Sequence, residues 1–373
     1  MKPLISALGF LLIASTGFAQ VTVKDDPTSA NLNDGIIAAR LDKQTGRIVS
    51  LTFDDVELLA AGSRGIWWTP EFDGTGNPVF RLVDDPEKNG GRRAEVAVKS
   101  KFAAADVEVH YALNISCNTA LYAWMVLDHP AAYPDLRIKE GRIELKPNPE
   151  VFDHPVAGAS RMADAPAYGW AGGKRAFGIW MINPGNEYLG GPAALVDAER
   201  DAAPILLHTW HGRQELVVPS GVAWKEIVGP FMIYVNAGGG PDGLWKDALA
   251  QAADERKAWP YMWLSDPEYP RAAERGSVTG QLVLSGSPSP GVNISTAWVG
   301  LAAPLHTTYQ YWARPEASGR FEIRAVRPGT YTLCATFDGA PGQYSREGVT
   351  VRAGDSRDVG KVVWPPARPG TAK

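Results

Sequence analysis

The chain is poor in cysteine, in basic clusters and in long apolar runs. Two of its 373 residues are cysteine, Cys117 and Cys334. They fall in regions read as separate domains, so we expect two buried thiols and no disulfide framework. The formal charge of −4 and the lack of Lys/Arg blocks argue against a nucleic-acid partner. Beyond the N-terminal segment no run is apolar enough to span a bilayer, which argues against a membrane partner.

Several catalytic and metal-binding signatures are missing as well. The chain has no GxSxG, Walker or CxxC motif. A glycosidase needs two facing carboxylates, whereas the acidic pairs here are adjacent and point apart on strands or lie in loops: Asp25–Asp26, Asp54–Asp55 and Asp84–Asp85. His208 and His211 are three apart on a predicted strand and so face opposite ways, which is not a zinc signature. We expect neither a metal nor a cofactor.

The N-terminal segment resembles a secretory signal. Lys2 provides the positive charge at the start, and residues 8–14 form the apolar stretch. Gly17 and Ala19 are small residues at a possible cleavage site before Gln20. Residues 1–19 are therefore predicted to be a cleavable signal peptide, and the mature protein is predicted to be secreted or periplasmic.

Short β-rich runs separated by Gly and Pro dominate the first part of the chain, which indicates an all-β fold. The predicted strands are Gly35–Leu41, Ile48–Phe53, Ala94–Phe102, Val107–Ile115, Ala120–Leu127, Gly141–Lys146, Phe177–Asn183, Ile205–Trp210 and Phe231–Asn236. The chain has 13 Trp and 12 Tyr. Such rings stack on sugars, but a large sandwich also buries many aromatic residues.

One helix and an aromatic connector join this region to a second one. Pro241–Asp242 opens the predicted helix, Leu244–Lys257 forms it, and Pro260 ends it. About seven short strands follow, which is typical of a small fibronectin type III-like or transthyretin-like β-sandwich. The tail, residues 366–373, is predicted to be disordered.

The motifs around this junction resemble those of the rhamnogalacturonan lyases, polysaccharide lyase family 4. They include GPFxxYxN at Gly229–Asn236, LWxDAxxQAxxExxxWPY at Leu244–Tyr261, YPxxxERGxVxG at Tyr269–Gly280, YQYWA at Tyr309–Ala313, and the segment Gly169–Pro192. Upstream, Glu140, Arg142, Pro149, Phe152 and Asp153 match ExRxxxxxxPxxFD. The resemblance implies a large mutarotase-like β super-sandwich over residues 20–270, followed by the fibronectin-like sandwich over residues 271–365.

The chain departs from the family pattern at three places. The segment that would carry the family's catalytic lysine is missing before Gly169. Gln214 stands where the family has its catalytic histidine, while His208 occupies a position where Asn is usual. The family's C-terminal jelly-roll domain has no counterpart, and these differences affect the expected substrate cleft.

The resemblance implies a β-elimination, in which a base removes a proton beside a carboxylate, a cation neutralises that carboxylate, and an acid protonates the leaving oxygen. Arg142 is the candidate carboxylate ligand, with a surface ion pair to Glu140 or Glu144 as the alternative. His211 is the candidate for proton transfer, with a structural or sugar-binding role as the alternative. The candidate substrate-binding residues are Tyr168, Lys174, Tyr188, His208 and Gln214. For Tyr168 a core position is an equal alternative.

Two functions remain open from the sequence. The first is a secreted, monomeric lyase that cleaves rhamnogalacturonan, an acidic plant polysaccharide, by β-elimination. The second is a catalytically inactive relative that binds carbohydrate, which the missing lysine segment and Gln214 favour.

Overall fold

The computed structural model describes residues 20–156, 167–185, 187, 205–210 (backbone only), 215–286, 292–303, 309–338 and 343–364. Within these ranges β-strands account for most of the chain, so the predicted all-β class is confirmed. The predicted signal peptide and tail lie outside the described residues. Among the described residues, no helix combines the length and apolarity that crossing a bilayer requires.

Strands β1–β18 and two helices form the first part. The strands are β1 Thr22–Asp25, β2 Ser29–Asn33, β3 Ile37–Asp42, β4 Arg47–Phe53, β5 Val56–Glu57, β6 Trp67–Thr69, β7 Val79–Asp84, β8 Arg93–Phe102, β9 Ala105–Asn114, β10 Cys117–His129, β11 Leu136–Ile138, β12 Gly141–Leu145, β13 His154–Val156, β14 Ala167–Ala171, β15 Phe177–Ile182, β16 Ile205–Trp210, β17 Leu216–Val218 and β18 Trp224–Ala237. The helices are α1, Pro86–Asn89, and α2, Pro241–Ala258.

A five-stranded sheet, β1-β2-β3-β4-β5, packs on an eight-stranded sheet ordered β13-β14-β15-β18-β10-β9-β8-β7. Two small sheets, β16-β12-β6 and β11-β17, complete this part. One continuous core fills the space between the sheets and includes the fully buried Leu41, Leu51, Val98 and Ile143. Burying these aliphatic side chains is the main force that holds the sheets together.

Helix α2 covers the other face of the eight-stranded sheet. It begins with Pro241 in its first turn and ends where Trp259 turns extended before Pro260, as predicted. Leu244, Ala248 and Ala252 share its buried stripe. Together with aromatic residues of the connector they form a second core over Trp124 and Trp180. The large sheet is therefore covered on both faces.

Two family motifs meet at this helix, because Asp247 of the helix motif accepts hydrogen bonds from two side chains of the strand motif. Tyr234 donates through its hydroxyl at 2.7 Å and Asn236 through its amide at 2.8 Å. The amide oxygen of Asn236 accepts from the indole N–H of Trp180 at 2.8 Å. The GPFxxYxN motif thus fixes the helix to the sheet, which is an architectural role.

Replacing Asn236 by alanine is expected to lower the free energy of unfolding by about 2–3 kcal/mol, because the buried indole N–H of Trp180 and the buried carbonyl of Leu244 each lose a partner. Urea unfolding followed by tryptophan fluorescence measures this. The control is Lys225→Ala, an exposed position on the same strand, which should change stability by less than about 0.5 kcal/mol. Equal midpoints for the two variants would contradict the prediction.

Strands β19–β25 form a second, smaller sandwich. They are β19 Gly276–Leu284, β20 Ala297–Ala302, β21 Gln310–Ala313, β22 Arg320–Val326, β23 Gly329–Phe337, β24 Tyr344–Val351 and β25 Ser356–Trp364, with single-turn helices at Ala272–Glu274 and Ile294–Thr296. One sheet has the order β22-β19-β25 and the other β21-β20-β23-β24. Val278, Leu301, Tyr311 and Leu333 belong to its separate core. The predicted second β-sandwich is confirmed. The thiols of Cys117 and Cys334 are free.

A buried ion cluster joins the two sandwiches. Glu187 of the first part is fully buried and accepts from Nε of Arg327 at 2.7 Å and from Nη1 of Arg275. The Tyr311 hydroxyl donates to the same carboxylate at 3.1 Å. Burial alone raises the pKa of Glu187, but the guanidinium groups of Arg327 and Arg275 outweigh it and hold that pKa below the usual range. The Glu187 carboxylate therefore serves to dock one sandwich on the other.

Candidate functional site

The candidate site lies on the outward face of β12. Arg142 and Glu144 are half-buried on this face, while Ile143 and Leu145 between them are fully buried in the core. Lys146 follows in the same alternation and is exposed. Since alternate residues of a strand share a face, Arg142, Glu144 and Lys146 form one row.

Arg142 is held by the two acidic residues that flank it in the row. Its Nη1 donates to Oε1 of Glu140 at 2.9 Å, and its Nε lies 3.3 Å from Oε2 of Glu144. The Nε–H nevertheless has no hydrogen-bond partner. The guanidinium centre also lies 5.2 Å from the ring centroid of Trp67 on β6. The ion pair expected as the alternative role of Arg142 is thus present, and one of its donors is unused.

A second arginine contacts the same indole. The guanidinium of Arg64 lies 4.0 Å from the ring of Trp67. Glu71 forms ion pairs with both Arg64 and Arg47. The arginines around Trp67 are therefore balanced by carboxylates, and Lys146 is a cation without an ion pair among the residues that the structure describes.

The proton affinity of Glu144 is shifted by its surroundings. Burial raises its pKa, and the lowering effects of Arg142 and Arg64 do not cancel this. The repulsion from Glu140 and Glu71 adds to the rise. Glu144 therefore keeps its proton to a higher pH than an ordinary glutamate, which suits a group that donates a proton.

Beside Lys146 lies a cavity of about 460 Å³. Its lining includes Trp170, which is 9% exposed, together with Asn148 and Lys146. Glu57 and Glu150 also line it. Apolar surface with a few polar groups is the composition of sites that bind small polar molecules.

The predicted site residues are only partly brought together. His208 lies in β16 directly opposite Arg142 in the antiparallel ladder, and Trp210 lies opposite Gly141. Lys174 is exposed in the turn between β14 and β15. His211, Gln214 and Tyr188 lie outside the described residues.

Tyr168 is placed in the core. It is 2 % exposed in β14, a strand whose residues are all buried, and burial raises the pKa of its hydroxyl well above the usual value. This position agrees with the core aromatic that the sequence left as an equal alternative, and it gives Tyr168 no accessible ring face for a sugar.

The sequence interpretation missed Glu144 as a proton donor, and it missed Lys146 and the Arg64–Trp67 contact altogether. Glu144 and Lys146 could have been predicted to share a face with Arg142 from the RIELK pattern at 142–146, where polar side chains recur at every second position. No local pattern connects Arg64 with Trp67 and Arg142. Within the described ranges, no group of three or more His, Cys, Asp or Glu residues is arranged to hold a metal ion.

Comparison with known proteins agrees with the motif analysis. Residues 274–359 match polysaccharide lyase family 4, domain II. A rhamnogalacturonate lyase of Dickeya dadantii is 30% identical over 209 residues, which cover 50% of this chain and 34% of that enzyme. Rhamnogalacturonate lyase B of Emericella nidulans is 23% identical over an alignment that covers 96% of this chain and 65% of that enzyme. The chain thus spans between a third and two thirds of these relatives.

Among solved structures, the periplasmic domain of Thermotoga maritima YidC aligns with 62% of this chain and 94% of its own length, at 10% identity and a TM-score of 0.32. That likeness is too distant to support an inference. The similarity to the rhamnogalacturonate lyases, which extends over most of the chain, confirms the resemblance predicted from the motifs.

Proposed function

We propose that this chain is an exported polysaccharide lyase that cleaves rhamnogalacturonan by β-elimination. The observation that carries the proposal is the row Arg142, Glu144 and Lys146, which ends at the cavity beside Lys146. The relatives that share most of this chain are rhamnogalacturonate lyases, and this gives the substrate class.

Arg142 is the proposed ligand of the uronate carboxylate. Its side chain is 26% exposed, so part of the guanidinium is accessible to a substrate. A guanidinium beside the carboxylate stabilises the negative charge that develops when the neighbouring carbon loses its proton. The electrons of that C–H bond form the new double bond, and the bond to the leaving sugar oxygen breaks. Glu144, with its raised pKa, is the proposed donor of the proton to that oxygen.

His211 is the proposed base. It follows directly after β16, whose last residue lies opposite Gly141, beside Arg142. Lys146 is about 13 Å along the strand from Arg142, at about 3.3 Å per residue. Because that separation exceeds the reach of one sugar ring, Lys146 is assigned to a neighbouring sugar of the polymer.

A carbohydrate-binding protein without turnover is the second candidate. The observation that favours it is the pairing of Arg142 with Glu140 and Glu144, because carboxylates already neutralise the guanidinium that the reaction needs. The presence of Gln214 at the position of the family histidine also favours binding without turnover. Such a protein would use the cavity beside Lys146 to hold the polymer.

Incubation with rhamnogalacturonan, followed by mass spectrometry of the products, separates the candidates. A lyase yields fragments whose new ends are one water lighter than those of hydrolysis, because elimination consumes no water. Intact polymer that still co-migrates with the protein would favour the binding protein, and hydrolytic ends would contradict both. Lys225→Ala is the control variant and should give the same products as the native chain, since this exposed residue lies on β18, outside the site.

A further inference from the structure

A depression that the proposed reaction does not use lies on the outer face of the eight-stranded sheet, where β8 begins and β9 ends. Arg93 of β8 lies opposite Asn114 of β9, and the next pair, Ala94 and Leu113, is buried in the core between the sheets. Since successive residues of a strand point to opposite faces, Arg93 and Asn114 point away from that core. The depression shares no lining residue with the cavity beside Lys146.

The depression has the size of a small-molecule site and apolar side chains among its lining residues. Its volume is about 680 Å³, within the range of roughly 300–1,000 Å³ that ligand pockets occupy. Ile115, which is 38% exposed, and the partly exposed Trp263 are its apolar members. The ring of Trp263 is held in place, because the guanidinium of Arg93 lies 5.4 Å from its centroid and the Tyr261 ring stacks on it at 5.2 Å.

The polar groups of the lining that have no partner are almost all hydrogen-bond donors. Arg92 is exposed and donates from Nε to the carbonyl oxygen of Asn89 at 2.9 Å, while its two Nη groups donate to no described residue. The side-chain oxygen of Asn114 accepts from the backbone N–H of Ser116 at 3.1 Å, but the Asn114 amide nitrogen has no described partner. The same holds for the indole N–H of Trp263, and none of these donors is a fully buried atom. A ligand that fits this lining must therefore supply acceptors.

The charge of the lining is positive. Arg92 forms no ion pair within the described ranges, and no aspartate or glutamate of those ranges lines the depression. Asp84 balances the charge of Arg93 through an ion pair. Glu87 lines a different groove and Glu95 is 5% exposed, so neither carboxylate competes for Arg92 within the depression.

We propose that this depression binds a uronate of an acidic polysaccharide, with the sugar carboxylate on Arg92 and the sugar ring beside Ile115 and Trp263. A carboxylate supplies the two acceptors that a guanidinium edge can engage together. Hydroxyl and ring oxygens of the sugar can accept from Asn114 and from the indole N–H. The choice of a uronate rests on the proposed function, and the site would hold a part of the polymer away from the point of cleavage.

The test is a titration of the full chain with galacturonate, followed by NMR at the indole N–H resonance of Trp263. This resonance is assigned from its loss in Trp263→Phe, and it reports on the depression separately from the candidate site. We expect it to shift until galacturonate saturates the site. Galactose, the neutral analogue, is expected to bind about tenfold more weakly or less, because it lacks the charge-assisted contact.

Arg92→Ala is expected to weaken galacturonate binding by about tenfold or more for the same reason. The matched control is Arg40→Ala, an exposed arginine of β3 that lies outside the depression and also forms no ion pair in the described part of the chain. It should keep the affinity of the native chain.

Four results would overturn the proposal. They are an unchanged Trp263 resonance, equal affinity for galacturonate and galactose, equal affinity of the Arg92 and Arg40 variants, and equally tight binding of inorganic phosphate, which would indicate a simple anion site. Binding of galacturonate requires no turnover, so this test and that of the lyase can fail separately. Cleavage of the polymer without a shift of the Trp263 resonance would overturn the second site alone, whereas a saturable shift without cleavage would support it and contradict the lyase.

Discussion

Replacing Glu187 by alanine is expected to lower the free energy of unfolding by about 3–5 kcal/mol, because the buried guanidinium groups of Arg275 and Arg327 lose the carboxylate that they share. All three side chains are at most 9% exposed, so water cannot replace the lost carboxylate. Glu187→Gln keeps a hydrogen-bond acceptor and the shape of the side chain but loses the charge. It should therefore lower the free energy of unfolding by less than Glu187→Ala does. Urea unfolding monitored by tryptophan fluorescence gives both values.

Glu347→Ala is the matched control, since this glutamate is exposed on β24. We expect it to change stability by less than about 0.5 kcal/mol. A loss below about 1 kcal/mol for Glu187→Ala would contradict the docking role of the cluster.

The same cluster should make the free energy of unfolding depend on pH. The pKa of Glu187 is lower in the folded protein than its usual value of 4.5, because Arg327 and Arg275 outweigh the effect of burial. The folded state therefore binds fewer protons than the unfolded chain. The stabilisation is complete at pH values above the unfolded pKa and disappears as the pH falls through the folded pKa. The difference between the native chain and Glu187→Gln should accordingly shrink below about pH 4.5. A constant difference would contradict this.

Replacing Arg142 by alanine is expected to lower kcat/KM on rhamnogalacturonan by about 10²–10³-fold or more, because the developing charge on the uronate loses its cation. Arg142→Lys keeps the charge but loses the planar, two-point geometry, so an intermediate rate is expected. Initial rates with the polymer measure the effect.

Arg137→Ala is the control for Arg142, since Arg137 also lies on a strand and pairs with a glutamate, Glu215, at 3.1 Å, but is 60% exposed. It should leave kcat/KM unchanged. If Arg142→Ala lowers only the unfolding free energy and leaves kcat/KM intact, Arg142 is a structural ion-pair partner of Glu140 and Glu144 and has no role in the reaction.

The strand and helix pattern was largely predictable from the sequence, because period-two alternation and Gly/Pro spacing are local signals. β18 shows where local signals fail. The sequence predicted Phe231–Asn236, but the strand runs from Trp224 to Ala237. The predicted strand began after Pro230, whereas in the structure the ladder with β10 skips Gly229 and Pro230 at a bulge, where the missing proline N–H disrupts no regular pairing.

The candidate site was less predictable, because its partners are distant in sequence. Glu140 and Glu144 were foreseen as partners of Arg142, since residues two apart on a strand are neighbours on one face. Trp170 lies on β14 and Lys146 directly follows β12, and only the fold brings these two lining residues of the cavity together. Likewise, Glu187 and Arg327 are 140 residues apart, so composition and spacing could not indicate their ion pair.

The most direct test of the proposed lyase activity is ultraviolet absorbance while the purified mature chain is mixed with rhamnogalacturonan. Elimination creates a double bond conjugated with the uronate carboxylate, so a lyase should produce a steady rise in absorbance that hydrolysis cannot produce. We predict such a rise for the native chain. A flat trace from a folded protein that still binds the polymer would contradict the proposal and identify a carbohydrate-binding relative of the lyases.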